Sequence, residues 1–121
     1  MILVVDDSPV IRSLVVAALA HIHLDVCEAD SGASALSACA QGPIDAVLLD
    51  VELRGENGVN IGNRLRSARA TANIPIILMS GHSEEEVDDR QNIADYFLAK
   101  PFTLDEVQQV VQQALAHEAA R

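Results

Sequence analysis

The sequence predicts an α/β domain, a parallel sheet with helices on both faces. Three observations carry that expectation. Ile2–Val5, Ala46–Leu49, Ile76–Met79 and Tyr96–Ala99 are short apolar runs without polar alternation, as expected of strands buried on both faces. Helix-start signals fall between and after them: Ser8-Pro9, Ser31, Ser83 and the pair Thr103 and Glu106. Strand and helix signals alternate from start to finish, a pattern that demands crossovers and a parallel sheet.

Taken in order, Ile2–Val5 is the first strand. Ser8 is an N-cap and Pro9 takes the first helical position; Ile11, Leu14, Val15, Ala18 and Ile22 follow at helical spacing, so the first helix runs to about His21. Leu24–Ala29 makes a poorer strand. Ser31 caps a second helix with Leu36 and Cys39 inward, and Gly42-Pro43 stops it. Ala46–Leu49 is the third strand, and the loop from Arg54 to Gly58 leads to a third helix carrying Ile61 and Leu65. Pro75 starts the fourth strand, Ile76–Met79, and Ser83 caps a short acidic helix to about Arg90. Tyr96–Ala99 is the fifth strand. Thr103 and Glu106 form a capping box for the last helix, striped by Leu104, Val107, Val111 and Leu115. The order is βα repeated five times, with no repeat or linker, so one domain is expected to fill residues 1–121 with no room for a second.

Composition narrows the function. Half of the 121 residues are apolar but only 2% are aromatic, so the core must be aliphatic. Eighteen acids against 8 bases give a formal net charge of −10, which argues against nucleic-acid binding and against an anionic membrane surface. Cys27 and Cys39 lack a CxxC spacing and read as reduced thiols of a cytoplasmic protein. No apolar run approaches the roughly 18 residues of a membrane span, and the N-terminus has no basic leader.

The chemistry gathers at the strand ends. Asp6-Asp7 closes the first apolar run, Asp50 the third, Ser80 the fourth and Lys100 the fifth. In an open parallel sheet the carboxyl ends share one edge, where ligands bind. Acids packed together there are costly without a positive occupant. Magnesium fits: it takes one or two carboxylates, a phosphate oxygen and water. With the charge neutralised, Asp50 can attack phosphorus in line to give an acyl phosphate. Lys100 suits a phosphoryl oxygen, the Ser80 hydroxyl can donate to another, and Gly81 lets the backbone come close.

The motifs VVDDS, LLDVEL, NG, ILMSG and AKPF, in that order at those element ends, resemble the receiver domain of two-component response regulators over the whole chain. The resemblance implies a flavodoxin-like, doubly wound (βα)5 three-layer sandwich with parallel strand order 2-1-3-4-5. It implies that Asp50 accepts phosphate from a phosphohistidine. It implies that Asp7 binds Mg2+ directly, Asp6 through water, and Glu52 by its backbone carbonyl. Ser80 and Lys100 would hold phosphoryl oxygens, Ser80 and Phe97 would form a coupled switch, and Lys100-Pro101 would be cis. Phe97 also reads as plain core packing. Four positions depart from or tune the pattern: Arg54 stands where proline is frequent, Phe97 replaces the commoner tyrosine, and Glu52 and His82 occupy places that set phosphoryl lifetime or are merely solvated. His21, His23 and His117 lack ligand spacing.

The implied partners are a sensor histidine kinase or histidine phosphotransfer protein and a downstream protein reading the fourth helix, fifth strand and last helix. No direct nucleic-acid contact and no membrane contact are expected. The expected role is a phosphoacceptor and not an enzyme. Two other readings remain open here: a magnesium-dependent aspartate-based phosphohydrolase, and a phosphate-independent interaction domain. A dinucleotide site is excluded by the absence of a glycine-rich turn after the first strand.

Overall fold

The computed structural model describes residues 1–53, 55–81 and 93–119, the last three by backbone alone. The elements are β1 (Ile2–Val5), α1 (Pro9–Ala20), β2 (Val26–Ala29), α2 (Gly32–Gln41), β3 (Ala46–Asp50), β4 (Glu52–Leu53), β5 (Glu56–Asn57), α3 (Gly58–Ser67), β6 (Ile76–Ser80), β7 (Tyr96–Ala99) and α4 (Leu104–Ala119). The main sheet has five strands in the order β2-β1-β3-β6-β7, and every neighbouring pair is parallel. This is the expected flavodoxin-like order, 2-1-3-4-5 when only main-sheet strands are counted. The expected acidic helix from Ser83 to about Arg90, together with His82 and Arg54, lies outside the described residues.

The unalternating apolar runs do face two cores. Ile2, Val4, Leu48, Ile77 and Met79 point to one side, where Val15, Ala18 and Leu19 of α1 and Val107, Val110, Val111 and Ala114 of α4 cover them. Leu3, Val5, Val47, Leu49, Ile76 and Leu78 point to the other, under Ala35 of α2 and Ile61 and Leu65 of α3. Each fully buried aliphatic side chain contributes about 1.5–3 kcal/mol, which is how a chain nearly free of aromatics builds its core.

The first helix ends at Ala20 with His21 as its C-cap, as expected. Other local readings need correction: His23 takes a left-handed φ of 62°. The amides of His23 and Leu24 fold back onto the carbonyls of Ala20 and Leu19. That wrap uses up Leu24 and delays β2 to Val26. Gly42 stops α2 as expected, in extended backbone at φ 179°. Leu104 is 41% exposed, so the stripe of α4 begins at Val107 and includes Val110 and Ala114. The loop after Asp50 contains an antiparallel ribbon, with Glu52 opposite Asn57 and Leu53 opposite Glu56; Gly55 turns it at φ 72°. The cap expectations hold: Ser8 accepts from the Ile11 amide, and Thr103 and Glu106 cap reciprocally. No described helix is long and apolar enough to cross a membrane.

Candidate functional site

The four strands β1, β3, β6 and β7 bring Asp6, Asp7, Asp50, Ser80 and Lys100 to one carboxyl edge. Asp6 continues β1: its amide donates to the Ala29 carbonyl at 3.1 Å, and its side chain is fully buried. Both carboxylate oxygens are engaged. Oδ1 accepts from the Ser8 amide at 2.9 Å, and Oδ2 accepts from Lys100 Nζ at 2.9 Å. Asp50 closes β3 and is 4% exposed. Its Oδ1 accepts from the Glu52 amide at 3.2 Å, and its Oδ2 lies 3.3 Å from Lys100 Nζ. Lys100 follows β7 and is pinned by its amide to the Ser80 carbonyl at 2.8 Å. One ammonium therefore bridges two carboxylates from different strands.

Asp7 is half-buried beside them. Asp6, Asp7 and Asp50 can each turn one carboxylate oxygen to within 4.8 Å of the others. That donor set, hard oxygens only and at least two acids in excess of the one lysine, fits a small divalent cation. The titration directions agree. The Asp50 carboxyl is raised above its ordinary value, first by burial and then by the Asp6 charge, against the opposing Glu52 amide and Lys100. Burial pulls Lys100 down, but its hydrogen bond to Asp6 and the charges of Asp50 and Asp6 outweigh this and raise it. Asp50 thus holds its proton more tightly chiefly because burial disfavours the charged form, and Lys100 does so because the two carboxylates face it.

Other expected residues fall around this centre. Ser80 ends β6 at the same edge, opposite Ala99, and is 9% exposed. Phe97, opposite Leu78, is 38% exposed and so is not a core residue. Glu52 stands in β4 with an exposed side chain, its backbone next to Asp50. The Lys100–Pro101 peptide is cis. Gly81 follows β6 at this edge, and nothing among the described residues lies within 4 Å of an added Cβ. His21 and His23 close α1 and take no part in the acid cluster.

Sequence reasoning missed two supports. Arg12, the one charged residue of α1, donates Nη1 to the Asp6 carbonyl at 2.7 Å and Nε to Glu28 Oε1 at 3.1 Å. Its isolation in an apolar helix was the available signal. Gly58 presses on the end of β3: its amide donates to the Val51 carbonyl at 2.7 Å, and an added Cβ would lie 2.0 Å from the Asp50 carbonyl oxygen. Only glycine allows that approach. Among the described residues no buried side-chain polar atom lacks a hydrogen-bond partner.

Residues 2–112 match the family model of the response regulator receiver domain. The chain is 32% identical over 108 residues to the DNA-binding dual master transcriptional regulator RpaA of Synechocystis, covering 88% of this chain and 45% of that protein. It spans less than half the length of such curated relatives, 45% for each of three and 24% and 12% for two others. The receiver domain of NtrX from Brucella abortus superposes with a TM-score of 0.88 at 31% identity, over 96% of this chain and 98% of that one. The receiver domain of the sensor histidine kinase PA1611 from Pseudomonas aeruginosa, with a magnesium ion coordinated in its active-site cleft, gives 0.85 at 26% identity over 95% and 96%. The chain belongs to the response regulator receiver domain family and is a phosphoacceptor signalling module of the two-component type.

Proposed function

We propose that Asp50 is the phosphoacceptor and that Mg2+ is held by Asp7 and Asp50, by the Glu52 backbone carbonyl, and by Asp6 through water. The observation that carries this is the bridge of Lys100 Nζ to Asp6 at 2.9 Å and to Asp50 at 3.3 Å, with Asp7 beside them. The two oxygens of Asp6 already accept from Ser8 and Lys100, which leaves Asp7 the freer direct ligand. When bound, the metal neutralises the carboxylates and the incoming phosphoryl oxygens.

The chain's own residues do the rest. The Glu52 amide on Oδ1 fixes the Asp50 rotamer and leaves Oδ2 on the Lys100 side. That oxygen attacks the phosphorus of a phosphohistidine; the P–O bond forms as the P–N bond breaks, and the imidazole leaves with the electron pair. Lys100 Nζ follows the charge onto a phosphoryl oxygen, and the Ser80 hydroxyl donates to another. Withdrawal of Ser80 toward the phosphoryl group couples to inward movement of Phe97, whose ring is now partly exposed, and so alters the surface around β7 and α4. The donor is a sensor histidine kinase or histidine phosphotransfer protein, and a downstream protein reads the altered surface. We place the module in the cytoplasm, as one receiver domain over residues 1–121. It catalyses at most its own phosphorylation and dephosphorylation. Residues 1–121, with a net charge of −10, do not themselves bind nucleic acid.

Intact-mass analysis after treatment with acetyl phosphate and Mg2+ tests the assignment. One phosphoryl group should appear, map to Asp50 and vanish with EDTA or in Asp50→Asn. Undiminished label in Asp50→Asn would refute it.

A further inference from the structure

Glu56 lies on the ribbon that follows Asp50, yet its carboxylate is engaged by another element. Oε1 accepts from the Gly32 amide at 3.0 Å, across 24 residues of sequence. Gly32 opens α2, which has no acid of its own in the first turn, so the negative charge favoured at that end comes from the β4–β5 ribbon. The fit is specific on both sides. A Cβ on Gly32 would lie 2.4 Å from Glu56 Oε2 and 3.0 Å from Ile61 Cγ1. The helix does not need Glu56 for its cap, because Ser31 and Ser34 already cap it reciprocally. What the contact adds is a fixed place for the ribbon.

That ribbon carries the Asp50 support. Glu56 is opposite Leu53, and Asn57 is opposite Glu52, whose amide donates to Asp50 Oδ1. Gly58 closes the base of the ribbon on Val51; Glu56 ties it to the start of α2. We propose that Glu56 is a positioning residue for the acceptor site: docked on Gly32, it keeps the Glu52 backbone in register with the Asp50 carboxylate. This rests on the reading of Asp50 as acceptor beside a Mg2+ site.

Three variants test it: Glu56→Ala, Glu56→Gln, which keeps an acceptor oxygen, and Gly32→Ala, which puts a methyl where the carboxylate sits. In metal-free protein, amide hydrogen exchange at Gly32 and Glu52 should quicken in Glu56→Ala and Gly32→Ala and stay near the parent in Glu56→Gln. Mg2+ affinity should fall about tenfold in Glu56→Ala, the lower end of the loss when a ligand's supporting partner is removed. Gly32→Ala should match it, and the double variant should lose no more than either single one. Urea midpoints should not track these losses. Unchanged Glu52 exchange in Glu56→Ala overturns the inference. If the parent binds Mg2+ and Glu56→Ala binds it equally well, the inference falls alone and the Asp50 reading stands. A parent that binds no Mg2+ overturns the Asp50 reading, while the exchange measurement, which needs no metal, still decides whether Glu56 orders the ribbon.

Discussion

At the amino edge of the sheet, one arginine has every donor matched. Arg66 of α3 gives Nη1 to the Ala72 and Ile74 carbonyls, both at 2.8 Å. Nε and Nη2 go to the Ile93 carbonyl at 3.1 and 2.8 Å, and Nη2 also reaches Asp95 Oδ2 at 2.6 Å. Asp95 in turn accepts from the Ile76 amide at 3.0 Å, so the arginine ties α3 to the starts of β6 and β7. At the carboxyl edge a single lysine serves Asp6 and Asp50 together, with Asp7 beside them. The first arrangement is saturated, and it stabilises. The second, among the described residues, holds three acids against one lysine, an excess that a cation could offset.

The largest expected effect breaks the saturated end. Arg66→Ala takes the cation from Asp95, which keeps the Ile76 amide, and the guanidinium donors from three partly buried carbonyls, and should lower stability by on the order of 3 kcal/mol, read as a reduced urea midpoint. Its Mg2+ affinity should stay close to the parent's. A loss below about 1 kcal/mol would class Arg66 with ordinary surface pairs.

Next in size is the ligand asymmetry at the other end. Asp7→Asn should weaken Mg2+ more than Asp6→Asn, because both Asp6 oxygens are already engaged. A direct carboxylate ligand should be worth at least the roughly 10–100-fold typical of outer-shell partners. Metal titration of the two variants checks this, and equal affinities would move the direct ligand elsewhere.

The smallest effect is on pH dependence without metal. The folded Asp50 carboxyl is raised above the ordinary 3.8, first by burial and then by Asp6. The folded state therefore binds this proton more tightly than the unfolded chain does. Its ionised form costs stability above the folded pKa, and that cost is relieved as pH falls toward 3.8. In EDTA, Asp50→Asn should have a higher urea midpoint than the parent at neutral pH, with the gap narrowing on acidification through that window. A lower midpoint at neutral pH would show that Asp50 is already compensated.

Much of this was legible in the sequence because it is local. The apolar runs marked the main-sheet strands, although β2 begins two residues later than expected, and the charged residues after them marked the site edge. Ser8, Ser31 and Thr103 marked three helix starts. What escaped depends on contacts between distant segments. Glu56 meets Gly32 across 24 residues, and Arg66 meets Ile93 and Asp95 across 27 and 29. Neither leaves a spacing signal in one chain. The β4–β5 ribbon was hidden for a different reason: two-residue strands have too few positions to show a period.

Urea unfolding with and without MgCl2 tests the contrast between the edges most directly. A ligand that binds only the folded state adds about 2.7 kcal/mol at a hundred times its Kd. The parent and Arg66→Ala should gain equally from Mg2+, though Arg66→Ala starts lower, and Asp7→Asn should gain markedly less. A parent indifferent to Mg2+, or an Asp7→Asn variant that gains as much as the parent, would contradict the account.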